Sequence, residues 1–286
     1  VFPKGDFYLT TEEENLVKAA EKNFKNVIVL LNVGGVIDTS WFAENPKIQS
    51  VLFLGQGGME GAKAAVEILL GKKNPSGKLT DTFAKRLEDY PSTETFHDFA
   101  GGVEYQEDIF VGYRYFETIP GKKDCVVYPF GYGLSYTEFE INLVGQNDAD
   151  EKIAFTIKVK NTGKVSGKEV VQLYYSAPEG KLTKPKLILG GFKKTKELKP
   201  GESCFVETEI EKNNLASYDE EGAVKKSAWV LEKGDYKFYY GNSIRNVKET
   251  ETPFTVKETE VVLQLTEQLK PKKLTKRLLA DGTYKN

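Results

Sequence analysis

Two hydrophobic rhythms divide this chain. Up to about residue 71 the apolar positions come at helical spacing or in short unbroken runs, and from about residue 141 they alternate with polar ones. In the first part, Leu16, Val17, Ala20 and Phe24 recur on one helical face. Thr10 or Thr11, followed three residues on by Glu13 or Glu14, makes a capping box, so a helix is predicted over 10–24. "NVIVLLNV" reads as a parallel strand buried on both faces, "SVLFLG" at 50–55 as a second, with a short helix around Thr39 to Ala43 between them. After "GQGG" a further helix carries Met59, Ala62, Val66, Leu69 and Leu70 on one face, with Gly71 as its stop. This alternation is an α/β pattern with right-handed crossovers. Two strands do not make a stable open sheet, so further strands are expected, and none is visible downstream.

The period-two part includes "AFTIKVKNTG", where Phe155, Ile157 and Val159 face one way and Thr156, Lys158 and Lys160 the other. "EVVQLYY", "CFVETEI" and "DYKFYYG" follow, separated by "NTGKVSG", "APEG" and "KPGES". Short alternating strands with Gly, Pro and Asn turns predict a β-sandwich, with Trp229 in its packing. Between the two patterns lies a loop-rich, aromatic-rich connection that should wrap a surface and hold two domains together. Within it, "EDIFVGYRYFE" alternates Ile109, Val111 and Tyr113 with Phe110, Gly112 and Arg114, predicting an edge strand. Arg114 would then pair with a carboxylate across a domain boundary. The fold class is therefore α/β plus all-β: a partial α/β sandwich, mostly parallel, followed by a β-sandwich.

Composition removes several function classes. The chain has 286 residues, with 40 basic against 42 acidic and a net charge of −2, and no long single-sign run; nucleic acid is not an expected partner. The basic "KPKK" and "KR" near the end read as a solvated linker rather than a phosphate-binding arm. No apolar run approaches the roughly 20 residues that cross a bilayer, and membrane is not an expected partner. Cys125 and Cys204 lack metal-ligand spacing and fit free thiols in a reducing compartment, so a cytoplasmic location is the expectation.

Candidate chemistry is sparse. The single histidine, His97, sits in the polar stretch "PSTETFHDFAGG", and any Ser-His or Cys-His mechanism would have to use it. It reads as a loop residue that meets a ligand only if that loop rims a cleft. Trp41 follows a strand end, where ligands bind in parallel sheets and where sugars stack on aromatic faces; in an apolar α/β segment it reads more readily as core. "NPSGKL" at 74–79 lacks the glycine spacing of a phosphate loop and is a structural turn, and "GQGGMEG" does not match a dinucleotide fingerprint.

Several of these stretches resemble one family. "GQGGMEGAKAAVEILLGKKNPSGKLTDTF" is similar to the strand, helix and "NPSGKLPxTF" signature of family 3 glycoside hydrolases. "EDIFVGYRYFE" and "YPFGYGLSYTEFE" resemble that family's linker, and "NTGKVSGKEVVQLYYSAPEG" its fibronectin type III-like domain. The resemblance covers nearly the whole chain. It implies 1–87 as the C-terminal part of an α/β sandwich domain and 88–140 as an aromatic-rich wrapping linker. It further implies 141–257 as a fibronectin type III-like domain, with 258–286 a linker toward a (β/α)8 barrel.

The implied reaction is retaining hydrolysis of terminal, non-reducing β-linked sugars from small oligosaccharides or glycosides, as in β-glucosidases and β-xylosidases. It needs no metal or organic cofactor. Two carboxyl groups about 5 Å apart would act, one as nucleophile and one as acid then base. The family's "SDW"-type nucleophile motif has no counterpart here. Its "GEGxDR"-type acid/base loop would fall just before "KGDFYL", so the chain starts about where that loop would end. Both catalytic carboxylates are therefore expected outside this chain, with the barrel and acid/base segment as partners on a companion chain or missing part. Glu104, Glu107 and Asp108 are the stand-in candidates within it, read otherwise as surface charges and turn caps. The alternative function is a non-catalytic binding or scaffold module on the same fold.

Overall fold

The computed structural model describes residues 4–96, 102–268 and 274–285. Helix α1 (Thr11–Asn23) starts as the sequence dictates: Thr10 accepts from the Glu13 amide, and Glu13 accepts from the Thr10 amide. Strand β1 (Val27–Leu31) pairs in parallel with β2 (Ile48–Phe53), across the short helix α2 (Ser40–Ala43). Helix α3 (Gly61–Leu69) follows and stops at Gly71, whose φ of +67° suits a residue without Cβ.

Among the described residues the parallel sheet has only these two strands, which changes its burial. Leu31, Phe42 and Ile48 form the buried centre, with Val17, Val29 and Trp41 packed around them. The continuous apolar run was expected to be covered on both faces. Instead Ile28 is 52% exposed and Leu30 44%. The expected inner faces of α1 and α3 are corrected in the same way: Leu16, Phe24, Met59, Val66, Leu69 and Leu70 are exposed, and Ala65 is the buried residue of α3.

The connection is structured rather than loose. Strand β3 (Phe83–Ala84) pairs with β4 (Val126–Tyr128), and helix α4 (Tyr113–Thr118) lies between them in sequence. The strand predicted for "EDIFVGYRYFE" is thus a helix. Gly112 has a φ of +57°, which turns the chain, and its carbonyl accepts from the amides of Tyr115 and Phe116. The residues then buried, Tyr115, Phe116 and Ile119, follow helical spacing. With Ala84, Phe110, Val126 and Leu278 they form a second core at the junction. No ion pair involves Arg114 among the described residues; Glu117 of α4 instead pairs with Arg245 at 2.7 Å.

The sandwich begins with β5 (Phe139–Asp148), β6 (Lys152–Asn161), β7 (Val170–Ser176), β8 (Ile188–Lys194) and β9 (Ser203–Glu211). It continues through β10 (Ser217–Asp219), β11 (Ala228–Leu231), β12 (Gly234–Ser243), β13 (Asn246–Glu249), β14 (Phe254–Val256) and β15 (Glu260–Gln264). One sheet runs β5-β6-β9 and the facing one β13-β12-β7-β8, with β14 added to β12. The alternation reads out directly: Ile153, Phe155, Ile157 and Val159 of β6 meet Val171, Leu173, Tyr236 and Phe238 in the main core. Each such side chain contributes about 1.5–3 kcal/mol of burial.

A small sheet, β10-β11-β15, lies beside them. There Trp229 is 38% exposed, its ring 5.5 Å from that of Tyr218, so it is an outer-face residue and not the interior packing the sequence suggested. The end of the chain forms a hairpin of β16 (Arg277–Leu278) and β17 (Tyr284–Lys285). It is no free tail: the Leu278 amide donates to Gln106 and its side chain enters the junction core.

Candidate functional site

The ends of β1 and β2 are where a parallel sheet offers its ligand site, because the strands and the following helix starts leave a crevice there. The segment Gly5–Tyr8 lies against this edge, with the Asp38 amide donating to the Phe7 carbonyl at 2.9 Å. Asp38 in turn accepts from the amide and hydroxyl of Ser40. Burial pushes the Tyr8 phenol up, and the nearby carboxylates of Glu88 and Asp38 push it further. Tyr8, Asp38 and Glu88 thus form a polar rim at this edge. The sequence reading missed it, although the "GDFYL" segment carries its first residue.

Trp41 is placed beside this rim but turned inward. Its indole N–H donates to the Asp38 carbonyl at 3.0 Å, and its ring meets Phe42 edge-on at 4.8 Å. It closes one end of an open groove of about 480 Å³ between α1 and β1, lined also by Leu9, Leu16, Val17, Ile28 and Leu30. That lining is mixed, with Asp6, Tyr8, Glu13 and Asn32 set among the aliphatic side chains. His97 lies outside the described residues.

The three candidate carboxylates are brought together, but into a joint between the wrapping segment and the C-terminal hairpin. Glu104 accepts from the Thr275 backbone amide at 3.0 Å, the Thr275 hydroxyl at 2.7 Å and the Gln106 side-chain amide at 3.1 Å. Asp108, at a φ of +50°, pairs with the Arg277 guanidinium at 3.2 Å. Burial pushes its carboxyl up against the pull of that guanidinium. Glu107 is 7% exposed, and one of its oxygens has no hydrogen-bond partner.

A raised carboxyl is the property a general acid needs, yet a general acid must also reach a leaving-group oxygen. Two of these side chains are held by the hairpin itself. Among the described residues no group of three or more His, Cys, Asp and Glu could hold a metal ion. Both thiols are free and half-buried, and burial pushes each of them up. Among the described residues, Glu104 and Asp108 are thus engaged in the hairpin joint.

Residues 3–136 match the glycosyl hydrolase family 3 C-terminal domain, and residues 169–244 match a fibronectin type III-like domain. The chain is 53% identical to β-glucosidase A of Butyrivibrio fibrisolvens over 99% of its length, covering 36% of that protein. It is 44% identical to a β-glucosidase of Ruminococcus albus over 96% of its length, covering 28% of that one. The solved structure of a β-glucosidase from Paenibacillus barengoltzii superposes with a TM-score of 0.89 at 43% identity, over 99% of this chain and 32% of that chain. The chain thus spans about a third of the length of these relatives. With these two domain matches and relatives aligned over nearly its whole length, the chain belongs to glycoside hydrolase family 3, as its C-terminal α/β domain together with its fibronectin type III-like domain.

Proposed function

We propose that this chain is the scaffold and cleft wall of a retaining, exo-acting β-glucosidase or β-xylosidase that removes terminal non-reducing sugars from short oligosaccharides. The nucleophilic Asp and the acid/base Glu stand outside it, on a (β/α)8 barrel and on a segment that joins the α/β domain. The observation that carries the proposal is the identity of 53% with a β-glucosidase over nearly the whole chain. It is supported by the engagement of Glu104 and Asp108 in the hairpin joint.

The two roles can be separated by experiment. This chain alone, assayed on an aryl β-glucoside, should show no turnover above background. The protein that also contains the barrel and acid/base segment should release glucose with retained β-configuration at the anomeric carbon. Appreciable hydrolysis by the chain alone would overturn the placing of the pair, and an inverted product would overturn the mechanism.

A further inference from the structure

The turn "NPSGKL" is where the α/β part is fastened to the sandwich. It begins three residues after α3 stops, and every polar group of its key side chains is committed across the boundary. Asn74 donates to the Ser166 carbonyl at 3.1 Å and accepts from the Ser135 hydroxyl at 3.0 Å and the Tyr136 amide at 2.9 Å. Tyr136 in turn donates its hydroxyl to the Ile68 carbonyl of α3 at 3.0 Å. Lys78 donates to the Gly133 carbonyl at 3.0 Å and pairs with Glu169 at 2.9 Å. The side chains of that pair are 11% and 6% exposed, so neither charge has water to fall back on.

Glu169 is itself fixed by the sandwich, since Asn242 donates to its other oxygen at 2.9 Å and the Val170 amide donates to the first at 2.7 Å. The backbones come close as well. A Cβ on Gly133 would lie 2.3 Å from the Gly77 carbonyl, and one on Gly167 would lie 2.5 Å from the Asn74 amide nitrogen. Aromatic contacts carry the joint onward: Tyr132 meets Tyr128 at 5.5 Å, and Tyr128 stacks on Phe42 of the α/β core at 6.2 Å.

On the other side of this joint stands the described part of the α/β core, with Leu31, Phe42 and Ile48 buried at its centre. We propose that Asn74, Lys78 and Glu169 form an inter-domain latch on which the order of the α/β part depends. The sandwich holds the latch in place, and the α/β part opens only when the latch does.

Native-state hydrogen exchange on the intact protein, read by mass spectrometry in rising urea, tests this. In the unaltered protein, peptides from 27–53 and from 152–176 should lose protection in one common opening. In the double variant Lys78→Met with Glu169→Gln, which removes both charges at nearly the same size, exchange over 27–53 should rise at least about tenfold. Exchange over 152–176 should stay within about threefold. Asn74→Ala, which leaves the ion pair in place, should produce the same split at smaller size and keeps the test open if the double variant does not fold. Parallel shifts of both regions, no shift in either, or separate opening in the unaltered protein would each overturn the latch.

Discussion

Lys184 and Glu232 form an ion pair in which both side chains are more than nine-tenths buried. Glu232 also accepts from the amides of Lys181 and Leu182, so this one carboxylate ties down the loop that joins β7 to β8. Burial works to raise its pKa, and the Lys184 ammonium with the two amides overcomes it, leaving the carboxyl below its ordinary value of 4.5.

Removing one partner strands the other. Lys184→Ala should cost about 3–5 kcal/mol, because a buried carboxylate is left short of its counter-charge. Lys184→Met with Glu232→Gln should cost clearly less. Urea unfolding of the three proteins checks the order.

The sign of the pH effect follows. Glu232 is depressed in the folded state, so its stabilisation is present in full above about pH 4.5 and is lost as pH falls through the lower folded value. Asp219 behaves alike: burial pushes it up, but donors from the amides of Val224, Lys225, Gly222 and Ala223 hold it below 3.8. Stability should therefore fall steeply below about pH 4.5. In Glu232→Gln with Asp219→Asn the slope there should flatten, as read from thermal midpoints between pH 3 and 6.

Asp219→Ala should loosen more than its own turn. Its carboxylate organises residues 222–225, and the adjacent Glu220 and Glu221 pair with Arg277 and Lys285 of the C-terminal hairpin. A loss of about 2 kcal/mol is expected. Faster amide exchange at Leu278 should accompany it, which a purely local defect would not produce.

Gly131 has a φ of +79°, and a Cβ there would lie 2.3 Å from the Gln172 side-chain oxygen. Gln172 donates to the Gly131 and Asn242 carbonyls and accepts from Tyr174, so it has no free direction of retreat. Gly131→Ala should cost at least about 1–2 kcal/mol from the backbone alone, and more from the clash. A lowered thermal midpoint with unchanged far-ultraviolet circular dichroism is the expected reading.

Among the described residues one edge of β1 is unpaired, and Ile28 and Leu30 of that strand are exposed. Such an edge invites pairing with another chain. The chain alone should self-associate, and Ile28→Lys should return it toward the monomer with a stability change within about 0.5 kcal/mol. Light scattering coupled to gel filtration measures this.

In the longer protein proposed above, Glu104→Gln and Asp108→Asn should leave kcat within about tenfold. Loss of a true general acid or base typically costs about 10²–10⁴. Initial rates on an aryl β-glucoside separate the two outcomes.

Local signals in the sequence carried furthest where they were self-contained. The Thr10 and Glu13 pair gave the start of α1, and the alternation around Phe155 gave the inner face of β6. The "EDIFVGYRYFE" stretch misled because a single backbone angle at Gly112 outweighs an alternating pattern. Burial on α1, α3 and β1 misled for another reason: an amphipathic face says that something covers it, not that the cover belongs to the same stretch of chain. The candidate carboxylates could be named but not placed. Glu104 and Asp108 acquire their surroundings from Thr275 and Arg277, far along the chain. The polar rim of Tyr8, Asp38 and Glu88 is likewise visible only after folding.

The bond from the Thr275 amide to Glu104 closes a separation of 171 residues. At the usual ~5–20 residues per second of ribosomal synthesis, the wrapping segment must wait roughly ten to thirty seconds for its partner to be made. During that interval Asp108 lacks Arg277, Gln106 lacks the Leu278 amide, and the junction core lacks the Leu278 side chain. The nascent protein therefore passes through a period in which this belt is unfastened and open to proteases and chaperones, until residues 275–278 are made and close it.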